Sequence, residues 1–310
     1  MLRRQWTGFF GNRHGSTFSI VGFDPVTKDL GVAVQSRYFS VGPVVPWAEA
    51  EVGAVATQSF VNVSYGPSGL QLLKQGLTVE EVIARLTGPD EGREMRQVGI
   101  IDARGNAAAY TGKKCMEWAG SRVGENYSAQ GNILASGKVV QAMSHRFESS
   151  KGDLAEKLVA ALEGGEAAGG DRRGRQSAAL LVVRKGKGRA DFGDRLVDLR
   201  VEDHADPIAE LQRLLKLHRV YYLIDEGEAQ FALKQTKKAL VTIRSAIRLD
   251  PTSDDAYLDL AMMYVKLGDM EKAKQAFRQT LRLNPRMKGV IKQLPKVGLI
   301  KVPKGFFEDL

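Results

Sequence analysis

The sequence is poor in the residues that build common reactive and metal centres. It has a single cysteine, Cys115, and four histidines. One thiol cannot form an intramolecular disulfide or supply a multi-cysteine metal site. The motifs His-Glu-x-x-His, Gly-x-x-x-x-Gly-Lys-Ser/Thr and Gly-x-Ser-x-Gly do not occur. These absences argue against most common enzyme classes, and we expect no metal and no cofactor.

Long hydrophobic runs are also missing. No segment reaches the roughly 18 consecutive apolar residues that indicate a membrane-spanning helix. The basic start, Met1–Trp6, resembles that of a signal peptide, but the following Thr7–His14 is too short and too polar for its apolar region. Hydrophobic residues make up 43% of the chain and charged residues 26%, as in an ordinary globular protein. We therefore expect a cytoplasmic protein without a membrane partner.

The net charge of +9 is concentrated near the C-terminus. Eight basic residues crowd this end, where only Glu308 and Asp309 oppose them: Arg278, Arg282, Arg286, Lys288, Lys292, Lys296, Lys301 and Lys304. A basic segment can contact nucleic acid, but no aromatic residues alternate with these charges for base stacking. We interpret the segment as a solvated basic surface and expect no nucleic-acid partner.

Strands and helices alternate over the first 200 residues. The pattern predicts strands over 17–23, 30–36, 53–58, 96–101, 107–111, 127–134, 178–183 and 196–201. It predicts helices over 67–75, 78–88, 136–148 and 153–162. Thr78 and Glu81 form a capping box at the second of these helices. Hairpin strands with paired helices fit a four-layer α/β/β/α sandwich, and a two-layer α+β fold also fits the pattern.

After Asp206-Pro207 the strand pattern ends and a repeat of 34 residues begins. Three pairs recur at this interval: Ala239 with Ala273, Ile243 with Phe277, and Pro251 with Pro285. The second copy has residues typical of a tetratricopeptide unit at Tyr257, Leu260, Ala261, Tyr264 and Gly268, while the first is degenerate apart from Gly227. Residues 220–287 therefore resemble the tetratricopeptide family. Two units are fewer than the three usually needed for independent stability, so we expect this all-α tail to dock on the first domain or on a partner.

Polar residues recur at or inside the ends of the predicted strands. On the strands they are Thr17, Ser36, Arg37, Gln58, Gln130 and Asn132. The glycine-rich loop 169–177 adds Asp171, Arg172, Arg173 and Arg175. Polar side chains inside strands cost stability unless they are hydrogen-bonded. We therefore expect these residues to share a cleft.

Residues 17–200 resemble the family called domain of unknown function 1028, which is grouped with the N-terminal-nucleophile (Ntn) hydrolases. The resemblance lies in the segments 17–21, 24–25, 30–34, 44–48, 53–58, 65–67, 130–132, 170–177 and 206–211. It implies an αββα fold and favours the four-layer sandwich. The predicted organisation is a leader over 1–16, an Ntn-hydrolase-like domain over 17–203 and a tetratricopeptide-like domain over 204–310.

The resemblance also implies a mechanism in which Thr17 is the first residue of the mature chain. Its α-amino group, with a pKa of about 8, accepts the hydroxyl proton without a histidine. Backbone N–H groups or the Asn132 amide are the expected oxyanion donors, and Arg37 or Asp171 tunes the amine or orients the substrate. The expected substrate-binding residues are Ser36, Gln58, Gln130, Arg172, Arg173 and Arg175. Thr17 is joined to Ser16, so residues 1–16 must first be removed.

Two functional interpretations follow. The first is an Ntn-type amidohydrolase or peptidase, forming a homo-oligomer, that acts on an amide bond of a small or peptide substrate. The second is a non-catalytic scaffold whose tail, residues 220–310, binds a protein partner. In the second interpretation Thr17 is an ordinary strand residue and Asn132 a structural amide. A weaker third interpretation is a binding module that holds a small acidic molecule with the arginine-rich loop.

Overall fold

The structure, a computed structural model, describes residues 17–188 and 192–308. The predicted leader, residues 1–16, lies outside the described residues. The chain divides into two compact units, of which the first ends at Arg213 and the second begins at Leu214. Within the described part of the chain, no helix combines the length and the apolarity needed to cross a bilayer.

The strands of the first unit form two antiparallel sheets. In chain order they are β1 Thr17–Phe23, β2 Leu30–Ser36, β3 Pro46–Glu49, β4 Gly53–Ser59, β5 Arg96–Asp102, β6 Ala107–Thr111, β7 Gly120–Gly124, β8 Tyr127–Asn132, β9 Ser177–Val183 and β10 Arg195–Val201. One sheet has six strands in the order β10-β9-β2-β1-β8-β7, and the other has four in the order β3-β4-β5-β6. The first strand of the chain is thus central in the larger sheet, between β2 and β8.

Two pairs of helices cover the outer faces of these sheets. They are α1 Tyr65–Lys74, α2 Val79–Thr87, α3 Lys138–Ser149 and α4 Leu154–Ala167. The helices α1 and α2 contact the four-stranded sheet, while α3 and α4 contact the six-stranded sheet. The sheets also contact each other, through β1, β2 and β8 on one side and β4 and β5 on the other. The layer order is therefore helix, sheet, sheet, helix.

Small residues bring the α3–α4 pair close to the central strands. A Cβ atom at Gly22 of β1 would lie 3.1 Å from Leu154, and one at Gly31 of β2 would lie 2.7 Å from Leu158. The strands β1 and β2 are buried along their whole length, because one face packs on α4 and the other on the second sheet. This explains why both read as continuous runs of apolar and small residues rather than as alternating patterns.

The predicted hairpins and the Thr78–Glu81 capping box are confirmed. Two strands escaped prediction, β3 and β7, because both are short, none of their residues is fully buried, and β7 has glycine at each end. The strand predicted to run to residue 134 ends at Asn132, since Ile133 adopts a φ of 52°. The helix predicted to end at residue 162 runs to Ala167, because its Gly164 and Gly165 allow close contact with α3.

Over its described residues, the second unit has helices as its regular secondary structure, followed by turns and irregular chain over 292–308. It comprises the end of α5 Pro207–Ala232, followed by α6 Thr236–Leu249, α7 Asp254–Lys266, α8 Met270–Leu283 and α9 Met287–Ile291. Ile243 and Phe277, one interval of 34 residues apart, are both fully buried in its core. The turns also repeat, with a positive φ of 61° at Lys234 and of 79° at Gly268. The predicted repeat is therefore visible in the backbone as well as in the core.

Candidate functional site

Thr17, Ser36 and Asn132 lie side by side at one end of the six-stranded sheet. Thr17 opens β1 and pairs with Ser36, the last residue of β2, and with Asn132, the last residue of β8. The Thr17 Oγ1 atom lies 3.0 Å from the Ser36 Oγ atom. Sequence positions 17, 36 and 132 are thus brought together by strand register. All three side chains are buried.

The second sheet contributes two amides that face this trio. Gln58 of β4 and Gln97 of β5 are register partners, and Gln58 Nε2 donates to Gln97 Oε1 over 2.8 Å and to the Thr17 carbonyl oxygen over 3.3 Å. Asn132 Nδ2 donates to the same Gln97 Oε1 over 3.0 Å. In return, Gln97 Nε2 donates to the Gly131 carbonyl oxygen over 2.8 Å. Gln97 therefore ties Asn132 to Gln58 across the two sheets.

Gln130 extends this network away from Thr17. Its Nε2 donates to Ser19 Oγ over 2.7 Å, and Ser19 Oγ donates to Gln58 Oε1 over 2.6 Å. The Ser128 hydroxyl donates to Gln130 Oε1 over 2.9 Å. Gly99 leaves the space for this amide, because a Cβ atom there would come within 2.1 Å of Gln130 Oε1. Gln130 is fully buried within this network, and its role in substrate binding stays a prediction.

Asp171 joins the loop 169–177 to the strand ends. Its Oδ2 accepts the backbone N–H of Arg37 over 3.0 Å, and its Oδ1 accepts the backbone N–H of Arg173 over 2.8 Å. The Arg173 guanidinium approaches the same carboxylate, with Nη2 at 3.2 Å from Oδ2. Asp171 also forms an isolated bridge with Leu134, just beyond β8. The carboxylate thus fixes the loop next to Ser36 and the end of β8.

The four predicted arginines differ in what holds them. Arg173 pairs with Asp171, while Arg175 pairs with Glu166 over 2.9 Å and with Asp206 over 3.0 Å. Arg37 Nη1 donates to Gln176 Oε1 over 3.0 Å. The exposed Arg172 side chain has no partner among the described residues, although its backbone N–H donates to Ile133. Arg172 and Arg37 are therefore the cations best placed to receive a ligand.

Glu166, the acid that pairs with Arg175, is partly buried. Burial raises the pKa of Glu166, and the nearby Arg175 guanidinium only partly opposes this shift. The ion pair with Glu166 attaches Arg175, and with it the loop 169–177, to α4. Arg175 is paired with Glu166 and Asp206, and its role in substrate binding stays a prediction.

Two strained backbone positions adjoin the amides of the site. Ser59, directly after Gln58, has a φ of 69°, and Ile133, directly after Asn132, has a φ of 52°. A β-branched residue with positive φ is an outlier that costs about 1–3 kcal/mol and persists only when its surroundings hold it. Ile133 is held by its N–H bond to Met116 and by the N–H that Arg172 donates to its carbonyl oxygen. Such strain clusters at functional sites.

A second network, which the sequence analysis missed, anchors the end of β4. Asp90 Oδ2 accepts from Tyr65 Oη over 2.8 Å, Arg96 Nε over 3.0 Å and Asn62 Nδ2 over 3.2 Å. Burial opposes the ionisation of Asp90, but these hydrogen bonds outweigh it and hold its pKa well below its ordinary value. Arg96 also donates to the Phe60 carbonyl oxygen. The network therefore steadies the chain next to Ser59.

The lone thiol near this network is not set up as a nucleophile. Cys115 Sγ donates to the Arg96 carbonyl oxygen over 3.3 Å. Burial raises the pKa of Cys115, and the hydrogen bonds from Ser59 and Gly112 only partly oppose this. A raised pKa reduces the thiolate fraction at neutral pH. Thr17 remains the better candidate.

Gln97 is the site residue that sequence reasoning missed. A signal was present, because Gln97 is a polar residue directly before the run Val98–Ile101 in a predicted strand. The packing of the two sheets, which places Gln97 against Asn132, was not readable from the sequence. Over the part of the chain that the structure describes, no three His, Cys, Asp or Glu side chains are grouped to hold a metal ion.

Comparison with known proteins identifies the family. The model of the family of unknown function DUF1028 matches residues 17–211. The chain belongs to the DUF1028 family. A crystal structure of a DUF1028 protein from Silicibacter pomeroyi is similar at 33% sequence identity, with a TM-score of 0.60, over 65% of this chain and 85% of that one. No curated protein matches the sequence.

The second unit has its own match. A tetratricopeptide repeat model matches residues 230–294, a range that includes the whole of α6, α7 and α8. The predicted range of 220–287 overlaps it over these three helices. The DUF1028 protein thus carries a tetratricopeptide-type repeat after its family domain, and repeats of this kind suggest protein–protein interaction.

Proposed function

We propose that the DUF1028 domain is an Ntn-type amidohydrolase in which Thr17, once residues 1–16 are removed, attacks an amide bond. The observation that carries the proposal is the position of Thr17. It begins the central strand β1, and its hydroxyl lies 3.0 Å from that of Ser36 at the polar end of the space between the sheets. The layer order helix, sheet, sheet, helix supports it, since the Ntn resemblance implies the same order.

The proposed chemistry uses the Thr17 hydroxyl, its freed α-amino group, water and N–H donors for the oxyanion. The Thr17 hydroxyl proton passes to the freed α-amino group while Oγ1 forms a bond to the substrate carbonyl carbon. N–H donors stabilise the negative carbonyl oxygen of the tetrahedral intermediate. The C–N bond then breaks, the ammonium returns its proton to the leaving amine, and an ester of Thr17 remains. Water, deprotonated by the same amine, hydrolyses this ester and restores Thr17.

The surrounding residues take distinct proposed roles. Ser36 orients the Thr17 hydroxyl, and Asn132 donates to the oxyanion from an amide whose plane is fixed by its bond to Gln97. Asp171 holds the loop that presents the exposed Arg172, and Arg37 lies beside it. Guanidinium groups pair with carboxylates. We therefore propose an amide substrate that carries a carboxylate, either a small molecule or a peptide.

An acyl-enzyme experiment tests this proposal. The chain is produced behind a removable leader so that Thr17 becomes its first residue, and it is incubated with a panel of carboxylate-bearing amides. Mass spectrometry of the Thr17 peptide should detect the mass of the acyl group. The matched Thr17→Ala chain should show no adduct, and Thr17→Ser should retain it. An adduct of equal yield on Thr17→Ala would sink the proposal.

The repeat favours a second candidate function, that of a scaffold. Its support is the tetratricopeptide match over residues 230–294. In this case the DUF1028 domain is an assembly unit and the tail binds a protein. Cross-linking in cells that express the full chain, compared with cells that express a chain without residues 220–310, tests it. Identical cross-linked partners in both would contradict the scaffold.

A further inference from the structure

The tail contains a groove whose walls are cationic. This cationic groove has a volume of about 620 Å³ and lies within the second unit, between residues of α6, α7 and α8. Its polar and aromatic lining includes Arg244, Tyr257, Tyr264, Lys272, Arg278 and Gln279. The lining has three cations and no carboxylate. A groove of this composition attracts anionic groups.

The cations of the groove are arranged around one tyrosine. Arg244 Nη2 donates to Tyr264 Oη over 2.6 Å, and Lys272 Nζ lies 5.6 Å from the centre of the Tyr264 ring. Lys272 also pairs with Asp269, outside the lining. Arg278 is exposed and has no ion-pair partner among the described residues. Arg278 is thus the cation most available to a carboxylate from outside.

A second, independent feature points to a polypeptide. The Gln279 Oε1 atom is buried, and no described residue donates a hydrogen bond to it. A buried carbonyl oxygen without a donor is unfavourable, and the backbone N–H of a bound segment would satisfy it once the Gln279 side chain turns toward the groove. Leu260 and Ala276 give the same groove an apolar floor. A peptide supplies carboxylates, N–H donors and apolar side chains together.

We propose that the cationic groove binds an acidic peptide segment of a partner protein, with carboxylates on Arg278 and Arg244, a backbone N–H on Gln279 and apolar side chains on the floor. The proposal does not depend on hydrolysis at Thr17. Nucleic acid fits the groove less well, because Lys272 lies over the Tyr264 ring that a base would stack on. The acidic side of the tail, with Asp225, Glu228, Asp255 and Asp259, lies elsewhere on α5 and α7.

Fluorescence anisotropy on the full chain tests the proposal. The probe is a labelled peptide of alternating glutamate and leucine, and its control has glutamine at every glutamate. The glutamate peptide should bind at least about tenfold more tightly than the glutamine peptide, since charged hydrogen bonds contribute more than neutral ones. Binding of both peptides with equal affinity would overturn the proposal.

Two variants of α8 locate the binding. Arg278→Gln should weaken binding of the glutamate peptide about tenfold. Arg282→Gln is the matched control. Arg282 is also exposed and lies one turn further along α8, but it does not line the groove. Equal losses in both variants would indicate attraction to the basic surface as a whole and would overturn the site. Displacement of the peptide by single-stranded DNA at equal charge concentration would overturn it as well.

Discussion

The two halves of the space between the sheets are filled in opposite ways. In the half that holds Phe23 and Leu30 the facing side chains are aliphatic or aromatic, whereas the half that holds Thr17 contains hydroxyls and amides. Both halves are buried to the same degree. Apolar side chains alone would hold two sheets together, as they do in the first half. The amides therefore have a purpose other than adhesion.

Burying polar side chains costs free energy, and this cost explains why the amides of the polar half are hydrogen-bonded to one another. A buried amide loses water and is stable only when its donors and acceptors are paired. Gln97 satisfies several groups at once, since its Oε1 accepts from both Gln58 and Asn132. A network of this kind fixes the orientation of each amide. We infer that the apolar half supports stability, while the polar half holds Thr17 and Asn132 in one geometry.

The largest predicted effect falls on Thr17. Thr17→Ala should lower the hydrolytic rate by at least about a thousandfold, because it removes the attacking oxygen. The free energy of unfolding should change little, since among the described residues the Thr17 hydroxyl is seen to hydrogen-bond one side chain, that of Ser36. Steady-state rates and urea unfolding measure the two quantities. Thr17→Ser, which keeps the hydroxyl, is the control and should remain active.

A substitution in the apolar half should lower the stability of the protein and leave the hydrolytic rate almost unchanged. Leu30 is fully buried in β2, the strand that also ends in Ser36. Leu30→Ala should lower the free energy of unfolding by about 2–5 kcal/mol through the lost burial and the cavity left behind. The hydrolytic rate of the folded fraction should stay close to that of the parent. A rate loss comparable with that of Thr17→Ala would break the distinction between the halves.

Substitution of Gln97 should lower both the hydrolytic rate and the free energy of unfolding, each by a smaller amount. Gln97→Leu leaves Gln58 Nε2 and Asn132 Nδ2 without their shared acceptor, so unfolding should become easier by about 1–3 kcal/mol. The hydrolytic rate constant should also fall, by about 10- to 100-fold, because Asn132 loses its fixed orientation. Gln97→Glu, which keeps the acceptor oxygen, should restore part of the rate. Unchanged kinetics in Gln97→Leu would show that the amide network has no role in the proposed catalysis.

The second unit buries an ionisable side chain, Asp259, whereas the polar half of the first unit buries neutral amides. Burial, followed by the neighbouring Glu228, raises the pKa of Asp259 from 3.8 to about 8; Asp255 and Asp225 act in the same direction. The folded tail therefore holds a proton that the unfolded chain releases near pH 4. The stability due to this proton is full below about pH 4 and is lost as the pH rises through about 8.

Asp259→Asn tests this smallest effect. The variant cannot ionise, so the tail should lose little stability between pH 6 and pH 9, whereas the parent should lose about 1 kcal/mol or more. Hydrogen exchange of the α7 amides measures the change within the second unit. The matched control is Asp255→Asn on the same helix, which removes one of the weaker charges acting on Asp259 and should keep most of the pH dependence. A parent tail whose exchange free energy is flat across this range would contradict the raised pKa.

The sequence determines much of this fold at the level of single elements. The central strands β1 and β2 were predictable to the residue, because apolar runs end at turn residues such as Asp24-Pro25. Short, half-buried strands such as β3 carry no comparable pattern. The repeat was predictable because equal core positions, such as Ile243 and Phe277, recur at a constant interval.

The site was predictable as a set of residue types but not as a geometry. Thr17, Ser36 and Asn132 stood out as polar residues at strand ends, and only the register of β1 with its two neighbours places them together. Gln97 was missed because its partner lies on the other sheet. The pairing of Arg175 with Glu166 depends on how the loop folds onto α4. Long-range packing of this kind leaves no local pattern in the sequence.

The central claim, that Thr17 is an N-terminal nucleophile, is tested most directly by the N-terminus of the mature protein. Intact-mass measurement and N-terminal sequencing of the protein purified from its native cells determine which residue comes first. We expect a chain that begins at Thr17 with a free α-amino group. In a mature chain that still carries Ser16, Thr17 would have no free α-amino group to accept the hydroxyl proton, and Thr17 could not be an N-terminal nucleophile.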